Sequence, residues 1–197
     1  GARDPLGIRP LVYGTLDGCP ILASETCALD IIGAKYVRDV ENGEVMIFDE
    51  DGAQSHKPFP PMQARPCIFE YIYFSRPDSI IGGRPVYDVR KAMGVQLARE
   101  APAAADVVVP VPDSGVPAAI GFSRASGIPF SEGVIKNRYV GRTFIQPDQE
   151  LRRQGIKLKF NPLAEVAVKR VVVVDDVIMR GSTTKQIIQM LIDAGAT

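Results

Sequence analysis

The segment VVVVDDVIMRGSTTKQ, Val171 to Gln186, sets two carboxylates, Asp175 and Asp176, directly after four β-branched residues. Arg180 and Gly181 follow, then the three hydroxyls of Ser182, Thr183 and Thr184. A helix opened by those hydroxyls would turn unpaired N–H groups and the positive end of its dipole toward a phosphate. Gly181 would let the backbone come close. The carboxylates repel a phosphate, and suit instead ribose hydroxyls or a hard cation such as Mg²⁺, which prefers oxygen ligands. A sugar phosphate with its ribose at the acids and its phosphate at the helix satisfies both halves. The plain alternative is a strand–turn–helix whose aspartates cap a loop. The Arg-Gly-Ser-Thr-Thr run at this offset weighs against it, and the GxxxxGK[ST] spacing of a Walker loop is absent.

Two further stretches carry chemistry. In VVVPVPDSGVPAAIGFS, Val107 to Ser123, the residues Asp113, Ser114 and Gly115 form a tight turn feeding a helix. Such a turn presents N–H groups to a pyrophosphate, or else Asp113 or Ser114 simply caps the helix. In GVIKNRYVGRTFIQPDQELRRQG, Gly133 to Gly155, the cations Lys136, Arg138 and Arg142 flank Tyr139 and Gly141. This suggests a mobile loop over an anion. Binding of single-stranded nucleic acid is the other reading of basic residues interleaved with an aromatic one, although one loop is a small footprint. From Lys136 to Lys159 there are seven basic residues (Lys136, Arg138, Arg142, Arg152, Arg153, Lys157, Lys159) and two acidic ones (Asp148, Glu150), seven minus two giving +5 in a chain of net charge zero.

These residues need elements to hold them. Val171–Val174 reads as a buried strand, and ligands of open α/β sheets bind at the carboxyl ends of such strands. Around it the chain alternates. Strands are expected at Cys67–Phe74, Asp106–Val111 and Phe130–Ile135. Helices are expected at Tyr87–Glu100 (Val89, Met93, Leu97 and Ala98 near one face), Gly115–Ser126, Gln146–Gln154 and Ser182–Ala194. The pattern predicts an α/β fold, a parallel sheet with flanking helices. Before it, Pro10–Tyr13, Ile21–Ser24, Tyr36–Val40 and Glu44–Phe48 read as short strands, with turn signals at Asp17-Gly18, Asn42-Gly43 and Asp51-Gly52 and a short helix at Thr26–Ile32 ended by Gly33. Pro58, Pro60, Pro61 and Pro66 forbid regular structure between these regions and set an expected boundary, with domains at residues 1–61 and 62–197.

The 197 residues are 46% hydrophobic and 23% charged, the composition of a globular chain with a sizeable core. Zero net charge offers no general case for nucleic acid or membrane surfaces, and no apolar run reaches the roughly 20 residues of a membrane helix. Three cysteines, Cys19, Cys27 and Cys67, without CxxC spacing, point to a reducing cytoplasm. His56 reads as a solvated linker residue.

DDVIMRGSTT resembles the phosphoribosyl-pyrophosphate loop of type I phosphoribosyltransferases, with Val177 where many members have Ser and Ser182 where many have Thr. KNRYVGRTFI and EYIYFSRPDS resemble the amidophosphoribosyltransferase family, the first its flexible closing loop. ARDPLGIRPL and LASETCALD resemble the last part of that family's N-terminal-nucleophile glutaminase domain. The resemblance spans nearly the whole chain, which is therefore read as an internal fragment. It implies a type I phosphoribosyltransferase domain preceded by the C-terminal part of a glutamine amidotransferase domain. The implied activity is a pentosyltransferase reaction of purine biosynthesis, forming 5-phosphoribosylamine, pyrophosphate and glutamate from phosphoribosyl pyrophosphate, glutamine and water. By the same resemblance, Lys136, Arg138, Tyr139 and Arg142 act on the leaving group. Asp113, Ser114, Gly115, Asp175, Asp176, Arg180, Gly181, Ser182, Thr183 and Thr184 bind substrate. Ser114, Asp175 and Asp176 attend Mg²⁺, and Cys67 aligns with a 4Fe–4S ligand of one branch. A homo-oligomer acting on small molecules, with neither nucleic acid nor membrane as partner, is implied. The initial cysteine nucleophile has no counterpart here, so no glutaminase chemistry is expected from these residues. Two competing readings are a salvage phosphoribosyltransferase acting on a nucleobase and a non-catalytic regulator that senses the same ligand.

Overall fold

The computed structural model describes residues 1–139, 158–179 and 181–197, without the side chain of Ser182. The described residues fall into two compact units, Gly1–Val89 and Arg90–Thr197.

In the first unit, strands β1 (Val12–Leu16) and β2 (Cys19–Ala23) form a hairpin, and β3 (Lys35–Asp39) pairs antiparallel with β1 on its other side. The hairpin turn is Asp17-Gly18 with φ of 50° and 81°, the left-handed pair that a two-residue turn requires. Helix α1 (Thr26–Ile32) ends at Gly33, whose φ of 74° is the left-handed cap that glycine adopts at least cost. Val12, Leu29 and Ala34 form this unit's core. A second hairpin joins β4 (Val45–Asp49) to β5 (Gly52–His56). His56 thus closes a strand instead of lying in a linker.

One expectation changes in this unit. Cys67–Phe74 is not a strand, because Glu70–Phe74 coils into a π-helical turn. Its buried Glu70 accepts from the Ser75 hydroxyl at 2.7 Å and pairs with Arg9, and Arg9 also lies 4.5 Å from the Phe74 ring centre. A short apolar run reads alike for strand and helix, and the buried carboxylate decides between them. The compact units part after Val89, beyond the proline-rich stretch. The end of that stretch is tied into the first unit, since the amides of Arg65 and Cys67 donate to the carbonyls of Leu6 and Ile8 at 2.7 and 3.0 Å.

Strands β6 (Ile80–Ile81) and β7 (Arg84–Pro85) form a small ribbon before helix α2 (Val86–Glu100), which runs into the second unit. There β8 (Val107–Pro110) is followed by helix α3 (Val116–Ser126), then by β9 (Val134–Lys136) and β10 (Phe160–Pro162), which pair antiparallel. Strand β11 (Val171–Val174) lies parallel to β8, Val171 opposite Val107, and leads into helix α4 (Ser182–Asp193). Phe130 adds a parallel bridge to Val108. Of the expected strand Phe130–Ile135 only this bridge and the start of β9 form. The expected helix Gln146–Gln154 lies outside the described residues.

Strand alternation sorts the core into two layers. Val107 and Val109 face one side with Val134, Phe160, Val166 and the α4 residues Ile187 and Leu191. Val108 and Val174 face the other with Ala98 of α2 and Ala119 and Phe122 of α3. Helices therefore cover both faces of a parallel sheet, as alternating strand and helix require. On α2 the buried line is Val86, Arg90, Gly94 and Ala98, at i, i+4 spacing, and Leu97 is exposed.

Candidate functional site

The parallel pair β8–β11 brings two loops to one edge of the sheet. At the ends of the strands, the Val111 amide donates to the Val174 carbonyl at 2.8 Å, one residue before the two aspartates. The loop after β8 then turns through Pro112, Asp113 and Ser114, and the Gly115 amide donates to the Val111 carbonyl at 3.0 Å. Gly115 is required there by close approach, because a Cβ on it would stand 2.7 Å from the Val174 oxygen and 2.9 Å from the Val111 oxygen. So the turn Asp113–Gly115 and the acids Asp175 and Asp176 are neighbours through backbone contact.

Neither helix that starts at this edge is capped by a side chain. Helix α3 has Gly115 at its N-cap with no side-chain hydrogen bond, and α4 has Gly181 there, also without one. The alternative of an N-cap by Asp113 or Ser114 is therefore corrected: neither side chain closes the helix. The φ of 68° at Gly181 turns the chain sharply into α4, and the Lys185 amide donates to the Gly181 carbonyl at 2.9 Å as the first turn closes. Helix α4, of 12 residues, thus opens on N–H groups that no side chain caps, whereas in α3 the Val116 amide donates to the Asp113 carbonyl at 3.3 Å and Pro117 has no N–H.

The acids are half-buried. Asp175 Oδ1 accepts from the Asp176 amide at 2.9 Å, and Asp176 Oδ1 accepts from the Val177 amide at 2.8 Å. Burial, with Asp176 as a hydrogen-bonded like charge beside it, pushes the Asp175 carboxyl up to about 7, against the pull of the Thr184 hydroxyl. Asp176 Oδ2 is buried without a hydrogen-bond partner among the described residues, and so is Gln186 Oε1. A buried acceptor left open costs free energy until a donor or cation meets it. The residue types suit Mg²⁺, which is held by one or two carboxylates together with phosphate oxygens of its substrate. Ser114 of the neighbouring loop is half-buried. Among the described residues no group of three or more His, Cys, Asp or Glu could hold a metal by itself.

On the β8 side, Lys136 at the end of β9 forms an ion pair with Asp113. The structure thus brings Asp113, Ser114, Gly115, Lys136, Asp175, Asp176, Gly181 and Thr184 to one edge. Thr183, in the first turn of α4, is exposed. Tyr139, whose side chain is 99% exposed, and Arg138, also exposed, follow Lys136 along the chain. Arg142, Arg180 and the side chain of Ser182 lie outside the described residues. Cys67 is a free, half-buried thiol in the first unit. Sequence reasoning missed Gln186 and the link from Thr184 to Asp175. A helix period could have put Thr184 on the inward side, but the orphaned oxygen of Gln186 has no sequence signal.

Comparison with known proteins places the fold in a family. Residues 84–197 match the family described as Phosphoribosyl transferase domain. Proteins called amidophosphoribosyltransferase are similar over nearly the full chain: 60% identity in Rhizobium etli (99% of this chain, 40% of that protein) and 57% in Synechocystis (100% and 41%). A solved structure described as the allosteric regulatory enzyme of purine biosynthesis superposes with a TM-score of 0.91 at 51% identity, covering 100% of this chain and 42% of its own. A second, of the Bacillus subtilis glutamine phosphoribosylpyrophosphate amidotransferase complexed with ADP and GMP, gives 0.89 at 51%, covering 98% and 43%. The chain spans about 40% of the length of the curated relatives it matches. With two uncapped helices at the carboxyl ends of a parallel pair and a matched domain over residues 84–197, the chain belongs to the phosphoribosyltransferase family.

Proposed function

We propose that this chain carries the phosphoribosyl-pyrophosphate site of an amidophosphoribosyltransferase, a pentosyltransferase of purine biosynthesis. The observation that carries the reading is the open, buried Oδ2 of Asp176 next to the uncapped start of α4. A ribose 5-phosphate moiety supplies what each lacks, hydroxyl donors for the carboxylates and a phosphate for the amides.

In the reaction, ammonia attacks C1 of the ribose and pyrophosphate leaves. The sugar gains oxocarbenium character while negative charge gathers on the leaving group, so the protein works by position and charge. Asp175 and Asp176 hold the ribose hydroxyls and face the cationic sugar. Gly181, Thr183 and Thr184, with Arg180 and Ser182, hold the 5-phosphate. The Asp113–Gly115 turn and the cations Lys136, Arg138 and Arg142 serve pyrophosphate, and Tyr139 lies in that same loop. Mg²⁺, attended by Ser114 and the two aspartates, would neutralise phosphate charge when bound. Ammonia comes from glutamine in a glutaminase domain, of which residues 1–61 are the C-terminal part, with 62–197 the transferase domain. A reducing cytoplasm suits the three free thiols, and among the described residues no helix is long and apolar enough to cross a membrane.

Titration calorimetry with phosphoribosyl pyrophosphate and Mg²⁺ tests this. The chain should bind, and Asp175→Asn with Asp176→Asn should lose binding by about tenfold or more, the loss expected from removing charge-assisted hydrogen bonds. Equal affinity in the double variant would sink the reading.

A further inference from the structure

The first unit holds a cavity of about 220 Å³ that the proposed reaction does not use. Val12, Ile80 and Ile81 give it apolar walls, and Arg3, Asp39 and Asn42 bring polar groups to it. The walls are fixed. The Tyr71 hydroxyl donates to the Ile81 carbonyl at 2.8 Å, and the Ile80 amide donates to the Thr26 hydroxyl at 2.9 Å. The half-buried Arg3 donates through Nε to the Arg9 carbonyl at 3.1 Å and through Nη1 to the Val40 carbonyl at 2.7 Å, so its guanidinium is held beside the end of β3. Its Nη2 has no hydrogen-bond partner, and no carboxylate pairs with it, among the described residues. The side-chain amide of Asn42 is half-buried and likewise without a partner among them. It packs so closely on Gly7 that a Cβ there would stand 2.0 Å from its Oδ1. Asp39 accepts from the Tyr36 hydroxyl at 2.8 Å through Oδ1, which leaves Oδ2 open.

We propose that this cavity binds a small free amino acid with an apolar side chain, its carboxylate on Arg3 and Asn42 and its ammonium on Asp39. Charge selects the class. One cation and one anion line the cavity, so their sum is zero. A phosphate dianion would meet the Asp39 carboxylate. An uncharged apolar molecule would cover the open donors of Arg3 and Asn42 without answering them, which costs free energy. A zwitterion answers both ends. The planar fork of arginine matches a carboxylate, and here it is already oriented by two carbonyls. Size agrees. An apolar cavity of about 150 Å³ holds benzene, so this one has room for valine between Val12 and the two isoleucines. A preformed, mostly apolar hollow with a few convergent polar groups is the usual anatomy of a small-molecule site.

An NMR titration of this chain with L-valine decides the matter, read at the Arg3 Nε–H and the Asn42 side-chain amide. Both signals should shift and saturate. Isovalerate, which lacks the ammonium, and isobutylamine, which lacks the carboxylate, should each bind at least about fivefold more weakly, the effect of one missing charged contact. Asp39→Asn should erase the preference for valine over isovalerate, and Arg3→Gln should weaken valine binding by about tenfold. Arg3 also holds two backbone carbonyls, so a second variant guards against misfolding. Ala64 is an exposed residue of the cavity lining, and Ala64→Leu should narrow the cavity and weaken valine binding with the thermal midpoint unchanged. No saturable shift at millimolar L-valine overturns the proposal. So does isovalerate binding as tightly as valine, and so does unchanged valine binding in Ala64→Leu or in a folded Arg3→Gln. None of these results touches the phosphoribosyl-pyrophosphate site, which stands or falls on its own titration.

Discussion

Asp175 and Asp176 crowd two half-buried carboxyl groups together and leave one oxygen open. In the ligand-free protein that is a cost in stability of the kind functional sites carry. Asp176→Asn should therefore raise the thermal midpoint of the ligand-free chain while weakening phosphoribosyl-pyrophosphate binding; a lower midpoint would show that the pair stabilises the fold. Glu44 is the opposite case. It is buried, and it accepts two bonds from Arg38, at 2.8 and 2.6 Å, one from the Ser55 hydroxyl and one from the Glu41 amide, both at 2.6 Å. The Arg38 guanidinium, foremost, holds its carboxyl down to about 2 from 4.5, against the cost of burial. A carboxyl held low in the fold contributes stability that is present above its unfolded pKa and fades as pH falls toward the folded one. Glu44→Gln should cost about 1–3 kcal/mol near neutral pH, the range for a buried bond to a charged group. Urea unfolding at successively lower pH should show the gap to wild type narrowing between pH 4.5 and about 2. A gap that holds its size there would mean that charge is not what Glu44 contributes.

Helices α2 and α3 meet through glycines. A Cβ on Gly94 would stand 1.8 Å from the Ala118 carbonyl oxygen, and one on Gly121 would stand 2.0 Å from that of Lys91. On helix propensity alone, Gly94→Ala should stabilise α2 by about 1 kcal/mol. The backbone contact reverses the sign: the substitution must push the helices apart, and should destabilise by about 1–3 kcal/mol, the usual cost of overpacking. A raised thermal midpoint for Gly94→Ala would contradict that. This contact shows where the sequence was silent. Val171–Val174 and Thr26–Ile32 fell where β-branched runs and a closing glycine put them, and the three other expected helices among the described residues begin and end within a residue of expectation. The buried face of α2 did not, because apolar Leu97 points outward and Gly94 and Ala98 point in. Pattern reading looks for bulk, and a close helix pair needs its absence. Strand β5, from Gly52 to His56, was missed for a similar reason: Gln54, Ser55 and His56 are polar, and they form a strand only because β4 pairs with them. At the site, the acids and Gly181 were legible from spacing, whereas the Val111–Val174 contact that unites the two loops joins residues 63 apart, as 174 minus 111 gives.

At the scale of the molecule, the second unit is a parallel sheet clothed on both faces, with its chemistry gathered at one edge. That edge has a direction. Under the proposed function, ribose 5-phosphate takes the β11–α4 side, with its acids and Gly181, and pyrophosphate the β8–α3 side, with Asp113–Gly115 and Lys136. The measurement that tests this polarity most directly is an amide-resolved NMR titration of the chain with each half of the substrate in turn. Ribose 5-phosphate should shift the amides of Asp175–Val177 and Gly181–Lys185, and pyrophosphate those of Asp113–Val116 and Lys136. Shifts in the reverse order, or the same amides responding to both ligands alike, would contradict the account.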